Sequence, residues 1–206
     1  DIEWILDALG WSQCHLVAHS MGAAMGTLYA GTFPQRLSSL TLIEAIGPTA
    51  GAVDQAPQRL AVAITKMKNH DSGQKSKPSL DGFVSARLQG LLKLKEDSAL
   101  LISQSSVTES AAGFAWSNDK RLMNISMMSL PEPLICSFIS AITCPVLGIF
   151  ATDGFRSKET IMERWQVLNC HKQLEWLDGG HHLHLDGDVP LIAQKMNEFL
   201  SKQKQL

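Results

Sequence analysis

Closely spaced cysteines are missing from this sequence. Cys14, Cys136, Cys144 and Cys170 stand far apart, with no C-x-x-C pair among them. That excludes a zinc ribbon and a thioredoxin-type redox site. So few cysteines in 206 residues suit reduced thiols, hence a cytoplasmic or other reducing compartment, each thiol acting as a small buried hydrophobe. Charge of one sign is missing too: 18 Lys and Arg against 20 Asp and Glu leave a net charge of -2. Neither nucleic acid nor an anionic membrane surface is therefore expected as a partner. No apolar run approaches the roughly 20 residues that span a bilayer. No biased tract is long enough to be a disordered segment. The opening text, DIEWI, has neither a basic stretch nor an initiator methionine, so it is not a signal peptide and reads as a start inside a longer protein.

What is present suits a globular domain: 45% hydrophobic and 18% charged residues, enough for one core with room for an inserted subdomain. Ile2, Ile5, Leu6 and Leu9 recur at helical spacing until Gly10. A short apolar strand at 14–18 follows, then a small-residue helix at 21–33 stopped by Pro34, and a strand at 40–43 closed by Gly47 and Pro48. Strand, helix and strand on short links predict a parallel sheet. The pattern resumes with a strand at 145–150, a helix at 158–168, a strand at 173–177 and a helix from 189 to about 203, with Ile192, Met196, Phe199 and Leu200 on one face. Between the halves, residues 48–140 read as an inserted helical cap, with helices at 58–67, 85–93 and 99–105 around a turn-rich stretch at 69–82. The core is then 1–47 and 141–206. From Arg59 to Lys95 there are eight Lys and Arg against two Asp, which we read as a solvated helix face rather than a binding patch.

The sharpest motif is Ala18-His19-Ser20-Met21-Gly22, between an apolar strand and a small-residue helix. The pattern G-x-S-x-G marks a strained turn that lifts a serine above a sheet, with small residues flanking it because strand and helix approach closely. Ala18 keeps the first glycine position small. A helix N-terminus also offers its dipole and the Met21 N–H to a developing oxyanion. The bland alternative, a helix-capping serine, leaves the preceding strand and the downstream histidines unexplained.

A serine nucleophile needs a base in hydrogen-bond reach, and the base needs a group to orient it. In such sites the chain order is serine, acid, histidine. Near the end stands Asp178-Gly179-Gly180-His181-His182-Leu183-His184-Leu185-Asp186, after the last strand. His181 is the expected base and His182 its substitute; His184 reads as a packing or hydrogen-bonding residue. Three close histidines invite a metal reading, but H-H-x-H has no matching Cys, Asp or Glu set elsewhere, and neither a metal nor a cofactor is expected. Asp153, after the strand at 145–150, is the expected acid, with Glu44 at the end of the preceding strand as competitor. Asp186 and Asp188 suit the start of the final helix.

With these residues in hand, the chain resembles the α/β-hydrolase superfamily, and within it the branch of serine hydrolase-like proteins. The resembling text runs nearly end to end: LVAHSMGAAMGTLYAGTFPQRLSSLTLIEAIGP, GFAWSNDKRL, ITCPVLGIFATDG and GGHHLHLDGDVPLIAQKMNEFL, with Trp116 and Asp119 pointing to the branch. The resemblance implies an α/β fold with a mostly parallel sheet, helices on both faces and an inserted helical cap. It puts the nucleophile on Ser20, the base on His181 and the acid on Asp153, for hydrolysis of small ester-like substrates. It also implies further N-terminal strands and a His-Gly loop bearing a second oxyanion donor, neither of which this sequence contains. The strand before Ser20 would then expose an edge able to pair with another chain or a second copy. The rival expectation is a non-catalytic fragment that acts by binding or pairing.

Overall fold

The computed structural model describes residues 1–68, 76–77, 79–90, 94–111, 113–119, 122 and 126–203. They form two compact units, Asp1–Ala50 with Leu130–Leu206, and Gly51–Ser129.

The first unit is built on a four-stranded, all-parallel sheet in the order β1 (Cys14–His19), β2 (Leu37–Ile43), β5 (Val146–Asp153) and β6 (Lys172–Gly180). Because side chains alternate along a strand, β5 serves two cores. Val146 and Phe150 join Leu40 and Leu42 on the face covered by α1 (Ile2–Ala8), α2 (Met21–Thr32), α6 (Glu132–Ser140) and α7 (Lys158–Val167). Leu147, Ile149 and Ala151 join Ile43 on the other face, under Leu183 of α8 (Leu183–Asp186) and Ile192 and Phe199 of α9 (Val189–Gln203). Helices on both faces are what a parallel sheet buried on both sides requires. Gly148 stands where a side chain would strike the Trp165 ring, at 2.6 Å from an added Cβ, so its absence lets that indole lie on the sheet. β1 pairs only with β2 among the described residues, and Val17 on it is 45% exposed.

The loop after β2 carries the site and is anchored twice. The Gly47 N–H donates to Thr27 Oγ1, which donates to the Ala23 carbonyl of α2. Arg164 of α7, 1% exposed, donates to the Ile46 and Pro48 carbonyls and grips Glu132 of α6 through two bonds of 2.8 and 2.7 Å. Helix α6 thus belongs to this unit, packed so closely on α2 that a Cβ at Gly31 would lie 2.3 Å from the Phe138 carbonyl oxygen. The expected insertion at 48–140 took in α6; the observed second unit ends at Ser129.

The second unit contains α3 (Ala56–Lys68), α4 (Asp81–Leu88), α5 (Glu96–Ser105) and an antiparallel hairpin, β3 (Val107–Ser110) with β4 (Gly113–Trp116). The hairpin was not expected in a helical insertion. Phe83, fully buried, meets the edge of Trp116 at 4.7 Å, and Arg87 stacks on the same indole. The expected helix at 85–93 stops at Leu88, and residues 91–93, like most of the turn-rich stretch 69–82, lie outside the described residues. Among the described residues no helix is long and apolar enough to cross a membrane.

Replacing Arg164 by Met leaves the Ile46 and Pro48 carbonyls and Glu132 unpaired, and should cost about 3 kcal/mol or more in urea denaturation. The Arg164 hydrogen bond holds the Glu132 carboxyl below its ordinary 4.5. Its folded value being the lower, the pair stabilises fully above pH 4.5, and that contribution is lost as pH falls through the folded value. A Glu132→Gln chain should therefore show a flatter decline of stability below pH 4.5.

Candidate functional site

β1 ends at His19 and α2 begins at Met21, so Ser20 alone makes the turn. Its φ of 52° lies in the left-handed region, which costs a serine on the order of 1–3 kcal/mol and persists only where neighbours over-determine it. They do so here. The Ser20 N–H donates to the Ile43 carbonyl at 2.9 Å, and its own carbonyl accepts the Ala24 N–H of α2. The expected reason for the flanking small residues needs correction. A Cβ on Gly22 would meet nothing within 4 Å, whereas one on Gly26 would lie 3.3 Å from Ala18 Cβ and 3.4 Å from Leu16 Cδ2. Strand and helix touch one turn further along, between Ala18 and Gly26.

His181 follows β6 and is 6% exposed. Its Nε2 lies 2.7 Å from Ser20 Oγ, across 161 positions of sequence. Its Nδ1 lies 3.2 Å from Glu44 Oε2. A carboxylate only accepts, so Nδ1 carries the proton and Nε2 is left to accept the serine O–H.

The carboxylate facing the base is Glu44, not the expected Asp153. Glu44 terminates β2 at a φ of 61° and is 3% exposed. Its Oε1 accepts the Ala151 N–H at 2.6 Å and its Oε2 accepts the Phe155 N–H at 3.3 Å. A buried carboxylate needs such partners to offset its lost hydration. Gly154 makes room for it: an added Cβ there would lie 2.7 Å from Oε2 and 2.9 Å from Oε1. Asp153 itself is exposed, and its side chain makes no hydrogen bond or ion pair among the described residues. The Asp-Gly text that suggested an acid at 153 instead supplies the glycine behind which Glu44 fits.

Around this chain lies a depression of about 240 Å³, lined by Met21, Met25, Pro48, Thr49, Phe155 and Arg156 together with Ser20, Glu44 and His181. Met21 opens α2, so its N–H has no carbonyl four residues back to bind. Arg156 donates to Thr49 Oγ1 at 2.9 Å and makes no ion pair among the described residues. Burial, and then the charge of Arg164, make its cationic form less favourable than usual. His182 occupies the N-cap position of α8, and its ring lies 5.3 Å from that of His19 and 6.1 Å from that of His184. Asp188 accepts the Leu191 N–H at the start of α9, while Asp186 ends α8.

Residues 1–188 match the model of the alpha/beta hydrolase fold family. The chain belongs to that family. Among its relatives are a serine hydrolase-like protein of Danio rerio, 21% identical over 215 residues, covering 98% of this chain and 65% of that protein. The chain thus spans somewhat under two thirds of that relative's length. A hypothetical protein of Pseudomonas aeruginosa, 28% identical, superposes with a TM-score of 0.85 over all of this chain and 72% of its own. The thioesterase domain of the curacin biosynthetic pathway shares the fold, with a TM-score of 0.77 and 19% identity over 95% of this chain and 70% of its own. The likeness to the Danio rerio protein supports the serine hydrolase-like branch of that family, and the thioesterase domain shows the fold alone.

Removing the two acids should have unequal effects. Glu44→Ala strips His181 Nδ1 and the Ala151 N–H of their partner and should lower stability by about 1–3 kcal/mol. Asp153→Ala should stay within about 0.5 kcal/mol. Chemical denaturation of both variants reads the difference.

Proposed function

We propose that the chain is a serine hydrolase of the esterase type, with Ser20 as nucleophile, His181 as base and Glu44 as the acid that orients it. The observation that carries this reading is the continuous hydrogen-bonded path Ser20 Oγ, His181 Nε2, His181 Nδ1, Glu44 Oε2. In the reaction His181 takes the Ser20 proton as Oγ attacks the carbonyl of an ester, and the oxygen gains negative charge beside the Met21 N–H at the start of α2. Glu44, unable to leave its two backbone donors, stabilises the imidazolium that forms. The imidazolium protonates the departing alcohol, and water, deprotonated by the same ring, then releases the acid. One oxyanion donor is worth on the order of a hundred- to a thousand-fold in rate.

A fluorophosphonate probe tests the reading directly. Labelling should be lost in Ser20→Ala, fall by at least about a hundred-fold in rate in His181→Ala, and fall markedly in Glu44→Gln, while Asp153→Asn labels as the parent does. A folded parent chain that takes no label would overturn it. That result would favour the second reading, a binding or pairing module, which the outer edge of β1, without a partner strand among the described residues, supports.

Arg156 bears on substrate choice. A guanidinium in the wall of the depression, without a carboxylate in ion-pair range among the described residues, suits an ester whose acyl or alcohol part carries an anionic group. Charge-assisted hydrogen bonds contribute about 1.5–3 kcal/mol. Arg156→Ala should accordingly raise KM for a dicarboxylic acid monoester by about tenfold or more, and leave KM for the neutral ester of similar size unchanged.

A further inference from the structure

Beside the Ser20–His181 pair, and using neither of those side chains, three more imidazoles converge. His19 comes from the last position of β1, His182 from the N-terminal cap of α8 and His184 from within α8. One ring nitrogen from each lies within 4.8 Å of the other two. The ring centroids of His19 and His184 are 4.1 Å apart. Simple ring packing accounts for the proximity but not for what the nitrogens do.

His19 Nε2 lies 2.8 Å from the His181 carbonyl oxygen. A carbonyl only accepts, so Nε2 carries the proton, and Nδ1 of the neutral ring keeps its lone pair. A ring N–H held by a backbone carbonyl is the usual support of a metal-bound histidine, fixing tautomer and orientation together. His184 Nδ1 is buried and has no hydrogen-bond partner among the described residues. Such an orphan is uncommon in a folded protein and points to an unfilled role. Burial holds His19 below its ordinary value, and burial with the neighbouring imidazoles pushes His184 down to about 4. The Asp186 carboxylate favours positive charge beside His184.

We propose that His19, His182 and His184 form a binding site for a divalent transition-metal ion that prefers imidazole, of the Zn²⁺, Cu²⁺ or Ni²⁺ class, with water completing the shell. Zinc–nitrogen bonds of 2.0–2.1 Å in a tetrahedron separate ligand nitrogens by about 3.4 Å. From separations of up to 4.8 Å, side-chain rotation on the order of 1 Å closes the set. The ion would join the residue before Ser20 to the residue after His181. It coordinates through lone pairs alone, with no redox step and no net proton transfer. The inference stands whether or not Ser20 is a nucleophile.

Calorimetric titration of the metal-free 206-residue chain with Zn²⁺ tests it. Saturable binding of one ion per chain is expected, weakened at least about tenfold by His184→Ala and by His182→Ala, and retained by His15→Ala and His171→Ala. Co²⁺ in place of Zn²⁺ should give the visible absorption of a low-coordinate nitrogen site, lost in the same two variants. Absence of saturable binding, or binding indifferent to His184→Ala, overturns the proposal. Should a variant fail to fold, long-range ¹H–¹⁵N spectra of the parent chain decide. Zn²⁺ must then shift the ring nitrogens of His19, His182 and His184, and shifts confined to other histidines refute the site.

Discussion

The position of one carboxylate constrains everything else at the site. Glu44 leaves β2 in a left-handed conformation, and its side chain turns across the end of the neighbouring strand to accept the Ala151 and Phe155 N–H groups. Those bonds join β2 to β5 and the loop after it. The third, to His181 Nδ1, extends the tie to the end of β6. Through His181 Nε2 it reaches Ser20 at the end of β1. A buried carboxylate without donors would cost several kcal/mol. The three donors are therefore what allows an acid at this depth, and in return the acid fixes the ends of all four strands.

The geometry follows from a parallel sheet. All four strands point one way, so their carboxyl ends lie together, and ligand sites in open α/β sheets form outside those ends. Ser20, Glu44, the 154–156 segment and His181 each come directly after a different strand. Among the described residues, the two backbone positions held at positive φ without a glycine, Ser20 and Glu44, are also two of the three members of the hydrogen-bonded path. Strain of this kind gathers at functional sites because surrounding packing can hold a conformation that a free chain would abandon. Here the packing is traceable. Thr27 and Arg164 clamp the loop behind Glu44, and the Ala18–Gly26 contact presses α2 onto β1 behind Ser20.

Much of this was legible beforehand, and the misses have physical causes. The strand–serine–helix text and the Gly-His segment announced Ser20 and His181, because each lies in a local pattern whose backbone demands are short-range. The acid did not, because Asp153 and Glu44 both end strands, and strand ends look alike in one dimension. Gly154 was the discriminating signal, and it reads equally well as the second half of a turn. The β3–β4 hairpin was hidden because four-residue strands carry too little alternation to register. Helix α6 fell on the wrong side of the expected boundary because its allegiance rests on contacts with α7 and with α2, which ends at Thr32, far back in the chain. The ring that His184 packs against, His19, could not be foreseen because it stands at the far end of the chain.

By itself, the sequence determined the alternation of strand and helix, the parallel sheet, the serine at a strand-to-helix turn and the histidine after the last strand. Periodicity, small residues and glycine placement act between near neighbours, so they can be read without coordinates. Which carboxylate meets that histidine, and which imidazoles gather beside it, were decided only when β1, β2, β5 and β6 came into register. Hydrogen bonds 2.6–3.2 Å long between residues more than 100 positions apart depend on where the strand ends fall in space, and no local pattern carries that information.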